Sequence, residues 1–241
     1  MIDKFYIGIA ELSIKIQSRF SFAREFCKDY IISAPDKADI TVSADAETVK
    51  KEMTAADEPV SEEYAEILCI YRSLANQLPK FGCFVFHGAA ISYNGLGYLF
   101  TAPSGTGKST HIRLWRQYIG KDVDIINGDK PIIRISKDGV SVCSTPWAGK
   151  ENWQKNRIFP LGGICLLNRG TQNSIEKLPP AENIKHLMNQ IYLPKNPAML
   201  SLTLEHMDKM LCRVPFYSLY CDMSKDAVKT SFEAMTGSIL N

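Results

Sequence analysis

The chain has little excess charge of either sign: 28 Lys and Arg stand against 26 Asp and Glu, a formal net charge of +2, with no Lys/Arg run. So small a surplus gives no reason to expect nucleic acid or a membrane as partner, because both are held chiefly by clustered positive charge. Cys-x-x-Cys pairs are also missing. The seven cysteines, at 27, 69, 83, 143, 165, 212 and 221, are scattered and odd in number, which argues against a zinc site or a closed disulfide framework. Reduced thiols in a cytoplasmic protein are the expectation, and Met1-Ile2-Asp3-Lys4-Phe5 lacks the basic and apolar segments of a secretory signal. No internal repeat, low-complexity tract or long flexible linker is found. Residues 81–107 contain no Asp, Glu, Lys or Arg, the one place where a membrane span could be suspected. Asn94-Gly95 at its centre is a hairpin signal and its second half runs into a glycine-rich loop, so strands are expected there instead.

What is present fits a globular chain: 241 residues, 45% hydrophobic and 22% charged. We expect one domain over residues 1–241. Residues 1–80 would be strands and a helix packed on a core at 81–145, completed by 146–241. The stretch with the most chemistry is Ala102-Pro-Ser-Gly-Thr-Gly-Lys-Ser-Thr110. It follows the pattern G-x-x-x-x-G-K-[ST] with Ala102 in place of the first glycine. Such a loop cradles nucleotide phosphates with successive backbone N–H groups, so Ser104, Gly105, Thr106, Gly107, Lys108, Ser109 and Thr110 are candidate nucleotide contacts. Lys108 would reach the β- and γ-phosphates, Ser109 would place its hydroxyl on Mg²⁺, and a helix from Ser109 to about Gln117 would point its positive end at the phosphates.

Around that loop the pattern predicts one or two strands over 4–16, from 5–10 and 12–16, and further strands at 38–43, 123–126, 131–135, 140–143, 161–167, 174–178 and 215–220. Helices are predicted at 61–78, starting at Ser61, and at 180–190, 199–211 and 225–235. The acidic stretch Asp45 to Glu63 reads as a solvated connection. Cys83 to Ser92, the Asn94-Gly95 turn and Gly97 to Thr101 read as a hairpin that delivers the loop and puts His87 on the neighbouring strand. A second hairpin turns at Lys137-Asp138-Gly139. Consecutive hairpins around a phosphate loop argue for an α/β fold with a mixed, largely antiparallel sheet. Ser144 to Trp153 is a loop carrying two tryptophans, a lysine and a glutamate, which fits either a functional loop or a tryptophan-anchored turn.

The residues His87-Gly-Ala-Ala, Gly97-Tyr-Leu-Phe and Ala102-x-Ser-Gly-Thr-Gly-Lys-Ser109 resemble the nucleotide-binding core of HPr kinase/phosphorylase, whose fold is that of phosphoenolpyruvate carboxykinase. The resemblance covers about residues 83–135. It implies that Lys108 binds phosphate, that Ser109 binds Mg²⁺, and that Asp129 acts as base towards an accepting hydroxyl with His87 close to it. The family has two adjacent aspartates where this chain has Asp129 between Gly128 and Lys130, so Glu151 is the candidate for the second acidic group beside Ser109 and Asp129 at the metal. A segment that would recognise HPr is not evident.

Taken alone, His87 also fits a hydrogen-bonded core histidine, and Asp129 a turn residue. His111 reads as structural, and Arg113 and Arg116 as a solvated helix face. Arg134, Arg169 and Arg213 are equal candidates for a charge-stabilising arginine. The expected function is a Mg²⁺–ATP-dependent kinase acting on a protein, peptide or small-molecule hydroxyl. The alternatives are a nucleotide-binding regulatory module and a structural protein with a degenerate loop. The resemblance leans towards a homo-oligomer.

Overall fold

The computed structural model describes residues 2–56, 58–103, 105–179 and 184–240. The alternation of Phe5, Ile7 and Ile9 with Leu12, Ile14 and Ile16 buries one face of a hairpin, β1 (Asp3–Ile9) and β2 (Leu12–Ser18). α1 (Phe22–Phe26), β3 (Ile31–Ile32), β4 (Ile40–Ser43), α2 (Ala46–Ala55) and α3 (Glu62–Ala75) follow. The strands make a four-stranded sheet in the order β3-β1-β2-β4, with β4 parallel to β2.

Ser61 caps α3 as its sequence suggests, its hydroxyl accepting from the Tyr64 N–H. Inside the same helix Glu66 is fully buried and accepts hydrogen bonds from the Ser18 hydroxyl and the Arg19 backbone N–H, which ties α3 to the end of β2. The acidic stretch expected to be a connection is in good part the helix α2. Asp45 caps it by accepting from the Thr48 N–H at 2.7 Å, and Val49 alone is buried, so the periodic signal that would betray the helix is missing.

The remaining elements are β5 (Cys83–Val85), β6 (Ala89–Tyr93), β7 (Leu96–Thr101), α4 (Lys108–Ile119), β8 (Val123–Asn127), β9 (Ile132–Ser136) and β10 (Gly139–Cys143). After them come β11 (Ile158–Arg169), β12 (Ser174–Leu178), α5 (Ile184–Met188), α6 (Pro197–Arg213), β13 (Phe216–Cys221) and α7 (Lys225–Thr236). Of the helix expected at 180–190, the first residues lie outside the described ones and Ile184–Met188 is helical. The strands form a nine-stranded sheet along β5-β9-β10-β11-β7-β6-β8, with β13 beside β11 and β12 beside β13. β11 runs parallel to β7 and to β13, while the other ladders are antiparallel, the mixed sheet that the hairpins imply.

One expected strand is in fact two. Cys83 to Ser92 breaks after Phe86: β5 pairs with β9, and β6 with β7 and β8. His87 therefore sits in the break and not on a strand, a position that frees its side chain from the alternation of a sheet.

The uncharged run at 81–107 is explained by burial on both faces. On β7, Leu99 packs into a cluster with Phe86, Leu166 and Met210 on one face, whereas Tyr98 and Phe100 pack with Trp115 and Phe232 on the other. Among the described residues no helix is long and apolar enough to cross a membrane. A third cluster joins the two sheets, with Ile14, Ile70 and Leu74 packed in one body with Val85, Ile132, Cys143 and Trp147. The Tyr30 hydroxyl adds a hydrogen bond to Ser144 at 2.6 Å across that junction.

Candidate functional site

The loop between β7 and α4 carries Gly105 and Gly107 at φ of +75° and +120°, backbone that side chains with a Cβ rarely adopt. Among the described residues, chain neighbours apart, nothing lies within 4 Å of where a Cβ on either would stand, so both positions face open space. α4 begins at Lys108, directly after this loop, and leaves the unpaired N–H groups of its first turn beside it. The Lys108 ammonium folds back onto the Ala102 carbonyl at 2.9 Å. Burial holds its pKa below the usual lysine value, partly offset by the charge of Asp129. Ser104 lies outside the described residues.

Asp129 is set by a turn. Asn127, fully buried at the end of β8, accepts the N–H groups of Asp129 and Lys130 on its Oδ1 at 2.9 and 2.8 Å. Its amide nitrogen in turn donates to the Thr145 carbonyl at 2.9 Å. This side-chain turn, known for Asn two residues before the paired N–H, fixes the backbone that presents the carboxylate. The 144–153 loop clamps the other side: Lys130 N–H donates to the Trp147 carbonyl, and Gly128 N–H to the Trp153 carbonyl. His87 is anchored by its own N–H to Gln190 and by its carbonyl, which accepts from the Thr101 hydroxyl at 3.0 Å.

The His87 ring then meets the Asp129 carboxylate at 3.3 Å, and the Lys130 ammonium takes the other carboxylate oxygen at 3.0 Å. Burial pushes the Asp129 carboxyl up, but the hydrogen bond from His87 and the charge of Lys130 outweigh it and hold the pKa at about 2. The group is a carboxylate at any physiological pH.

A cleft of about 470 Å³ brings the expected residues together: His87, Gly105, Gly107, Lys108, Ser109, Thr110, Asp129 and Glu151 all line it, with Lys150. Thr106 lines an adjoining hollow of about 510 Å³ together with Leu114, Asn168, Arg169 and Met223. Sequence could not choose between three arginines; position separates them. Arg169 donates to the Gly105 carbonyl at 2.7 Å, whereas Arg134 is engaged by Glu11 and the Ala10 carbonyl, and Arg213 by the Ser136 carbonyl. His111 is buried against Phe100 and Ser231, and burial lowers its pKa to about 4, the behaviour of a neutral structural residue. Arg113 and Arg116 are exposed on α4. The partner that sequence reading missed is Lys130, hidden because a lysine stands where a second acid was looked for.

Would these residues hold a nucleotide and Mg²⁺? The open loop, the helix start and the half-buried lysine suit an anion. For the metal, no group of three or more His, Cys, Asp or Glu side chains is arranged as a cage among the described residues. Mg²⁺ beside phosphates needs only one or two carboxylates and a hydroxyl, which Ser109, Asp129 and Glu151 can supply from one cleft.

No family model matches the chain, and no curated protein matches it. Among solved structures that match is the HPr(Ser) kinase/phosphatase from Coxiella burnetii, at 10% identity and a TM-score of 0.30, over 52% of this chain and 92% of that one. An overlap of that quality leaves the reading of the site to its own geometry.

Proposed function

We propose that the chain is a Mg²⁺–ATP-dependent phosphotransferase of the HPr kinase-like kind, acting on a hydroxyl. The observation that carries this reading is convergence: a glycine loop opening a helix, its lysine and serine, and an ionised aspartate backed by a histidine share one cleft. The bound nucleotide would supply the phosphoryl group, and its metal the neutralising charge.

The chain's own residues would do the rest. Loop N–H groups and Lys108 bind the phosphates, which requires Lys108 to leave the Ala102 carbonyl. Ser109, with Asp129 or Glu151, would hold the metal. Asp129 takes the proton of the acceptor hydroxyl as that oxygen bonds to the γ-phosphorus and the bond to the β-phosphate oxygen breaks. A carboxyl with a pKa near 2 is a weak base, and this suits a loose transition state in which the hydroxyl gains acidity only late. His87 positions the carboxylate. One observation favours the alternative of a nucleotide-binding regulatory module: both oxygens of Asp129 are already engaged, by His87 and Lys130.

Two measurements test the reading. Near-saturating Mg²⁺–ATP should raise the melting temperature by about 5–10 °C, and Lys108→Ala should remove most of that rise. γ-Labelled ATP with an extract of the source cells should then label a discrete acceptor in a Lys108-dependent way. Absence of any thermal shift refutes nucleotide binding, whereas a shift with release of free phosphate alone favours the regulatory module.

A further inference from the structure

A second cavity, of about 330 Å³, shares Asp129 and Gly149 with the charged cleft but contains no residue of the glycine loop. Its wall is aromatic. Tyr64, Leu68 and Tyr71 fall on one stripe of α3, Phe26 comes from α1, and Trp147 from the long loop, with ring centroids 6.2 Å from Phe26 and 5.4 Å from Tyr71. The charged groups in this lining are Asp129 and its partner Lys130. Trp147 is 7% exposed, and its buried indole N–H has no hydrogen-bond partner among the described residues. A buried donor left unpaired is destabilising, so it marks a place where an acceptor atom would stabilise the fold.

Resting on the kinase reading above, we propose that this cavity binds the phosphoryl acceptor. The acceptor is a hydroxyl compound with one ring-sized apolar body and a hydrogen-bond acceptor atom. Three features select that class. The volume is at the small end of ligand sites, about 300–1,000 Å³, which suits a single ring entering the cavity. Rings and a leucine favour an apolar body, while the carboxylate at the boundary gives a hydroxyl its one anionic partner. The Trp147 N–H pairs with a polar atom of the ligand once the indole tips towards the cavity. The same chemistry arises from a free alcohol or from a serine next to an aromatic residue in a peptide.

The test uses the full chain with ¹⁵N-labelled tryptophan, whose three indole signals come from Trp115, Trp147 and Trp153. The Trp147 signal is identified with Trp147→Phe. Titration with 2-phenylethanol, or with the peptide N-acetyl-Ser-Phe-amide, to about 10 mM should move the Trp147 signal well beyond any effect of ethanol. Whichever of the two moves it at lower concentration identifies the free or the peptide source. With γ-labelled ATP, transfer to the better probe should exceed transfer to ethanol by about tenfold or more. Tyr64→Lys, at a half-exposed position of the wall, should abolish that preference while the nucleotide-induced thermal shift persists and reports an intact fold.

If neither probe moves the Trp147 signal more than ethanol does, while nucleotide still stabilises the protein, the cavity assignment alone falls. If a probe binds but no nucleotide does, its role as phosphoryl acceptor is overturned together with the kinase reading.

Discussion

The two hollows that meet at Asp129 are built in opposite ways. The charged cleft takes its walls from a contiguous loop and helix start, 105–110, and from short turns around 87, 129 and 151. The aromatic cavity takes its walls from helices near the start of the chain and from the 146–152 loop, brought together only by the packing of the two sheets. One is made of backbone geometry and charge, the other of side chains on separate elements. On the proposed reading, phosphate handling and acceptor choice would rest on different parts of the fold, with the Asp129 carboxylate lining both hollows.

The sharpest way to break this comparison is Asp129→Asn. If the carboxylate serves as base, transfer should fall by about two to four orders of magnitude while the nucleotide-induced thermal shift stays nearly intact. Should nucleotide binding itself collapse and recover with excess Mg²⁺, Asp129 belongs to the charged cleft as a metal ligand and is not shared.

A smaller effect is expected on stability against pH. The Asp129 carboxyl titrates at about 2 in the folded chain against 3.8 ordinarily, so its contribution is complete above about pH 5 and is lost as pH falls towards 2. Urea unfolding should show wild type ahead of Asp129→Asn by about 1–2 kcal/mol at pH 6, with the gap closing by pH 2. Tyr71→Ala, on the aromatic side, should carry a stability cost that does not change over that range. Burial and the nearby Asp129 charge push the Tyr71 hydroxyl above its ordinary range, far from acid pH.

The smallest expected change sits at the partition. Gly149 has φ +79°, and a Cβ there would stand 3.0 Å from the Cβ of Asp129. Gly149→Ala should cost about 1 kcal/mol in urea unfolding and lower transfer by displacing the carboxylate. An unchanged rate would show that the two hollows do not depend on this residue for their common wall.

What could be read from the sequence follows the same division. The glycine loop, Lys108, Ser109 and the strand and helix on either side are neighbours in the chain, and local patterns report neighbours. Asp129 and His87 could be named because a family resemblance supplied their positions. The break that takes His87 off its strand could not be foreseen, since Phe86 and Ala89 are both buried and continue an apolar run. Tyr64, Leu68 and Tyr71 show only as positions in a helix, and nothing in their spacing says that the stripe they form faces a cavity and not a core. Trp147 was marked by the odd composition of its loop, but its unpaired N–H is a property of the fold.

Glu66 gives the aromatic wall a mechanical character. It lies on α3 between Tyr64 and Leu68 and is bonded to Ser18 and Arg19 where β2 ends, so the helix can neither roll nor slide without breaking buried polar bonds. The wall moves with the four-stranded sheet or it stays in place. Widening of the cavity on its α3 side then requires a hinge motion of the first 75 residues against the larger sheet, slower than the flipping of a ring. Its signature is concerted loss of amide-exchange protection where Val85, Ile132 and Trp147 meet the smaller sheet, with the β1–β2 ladder left protected.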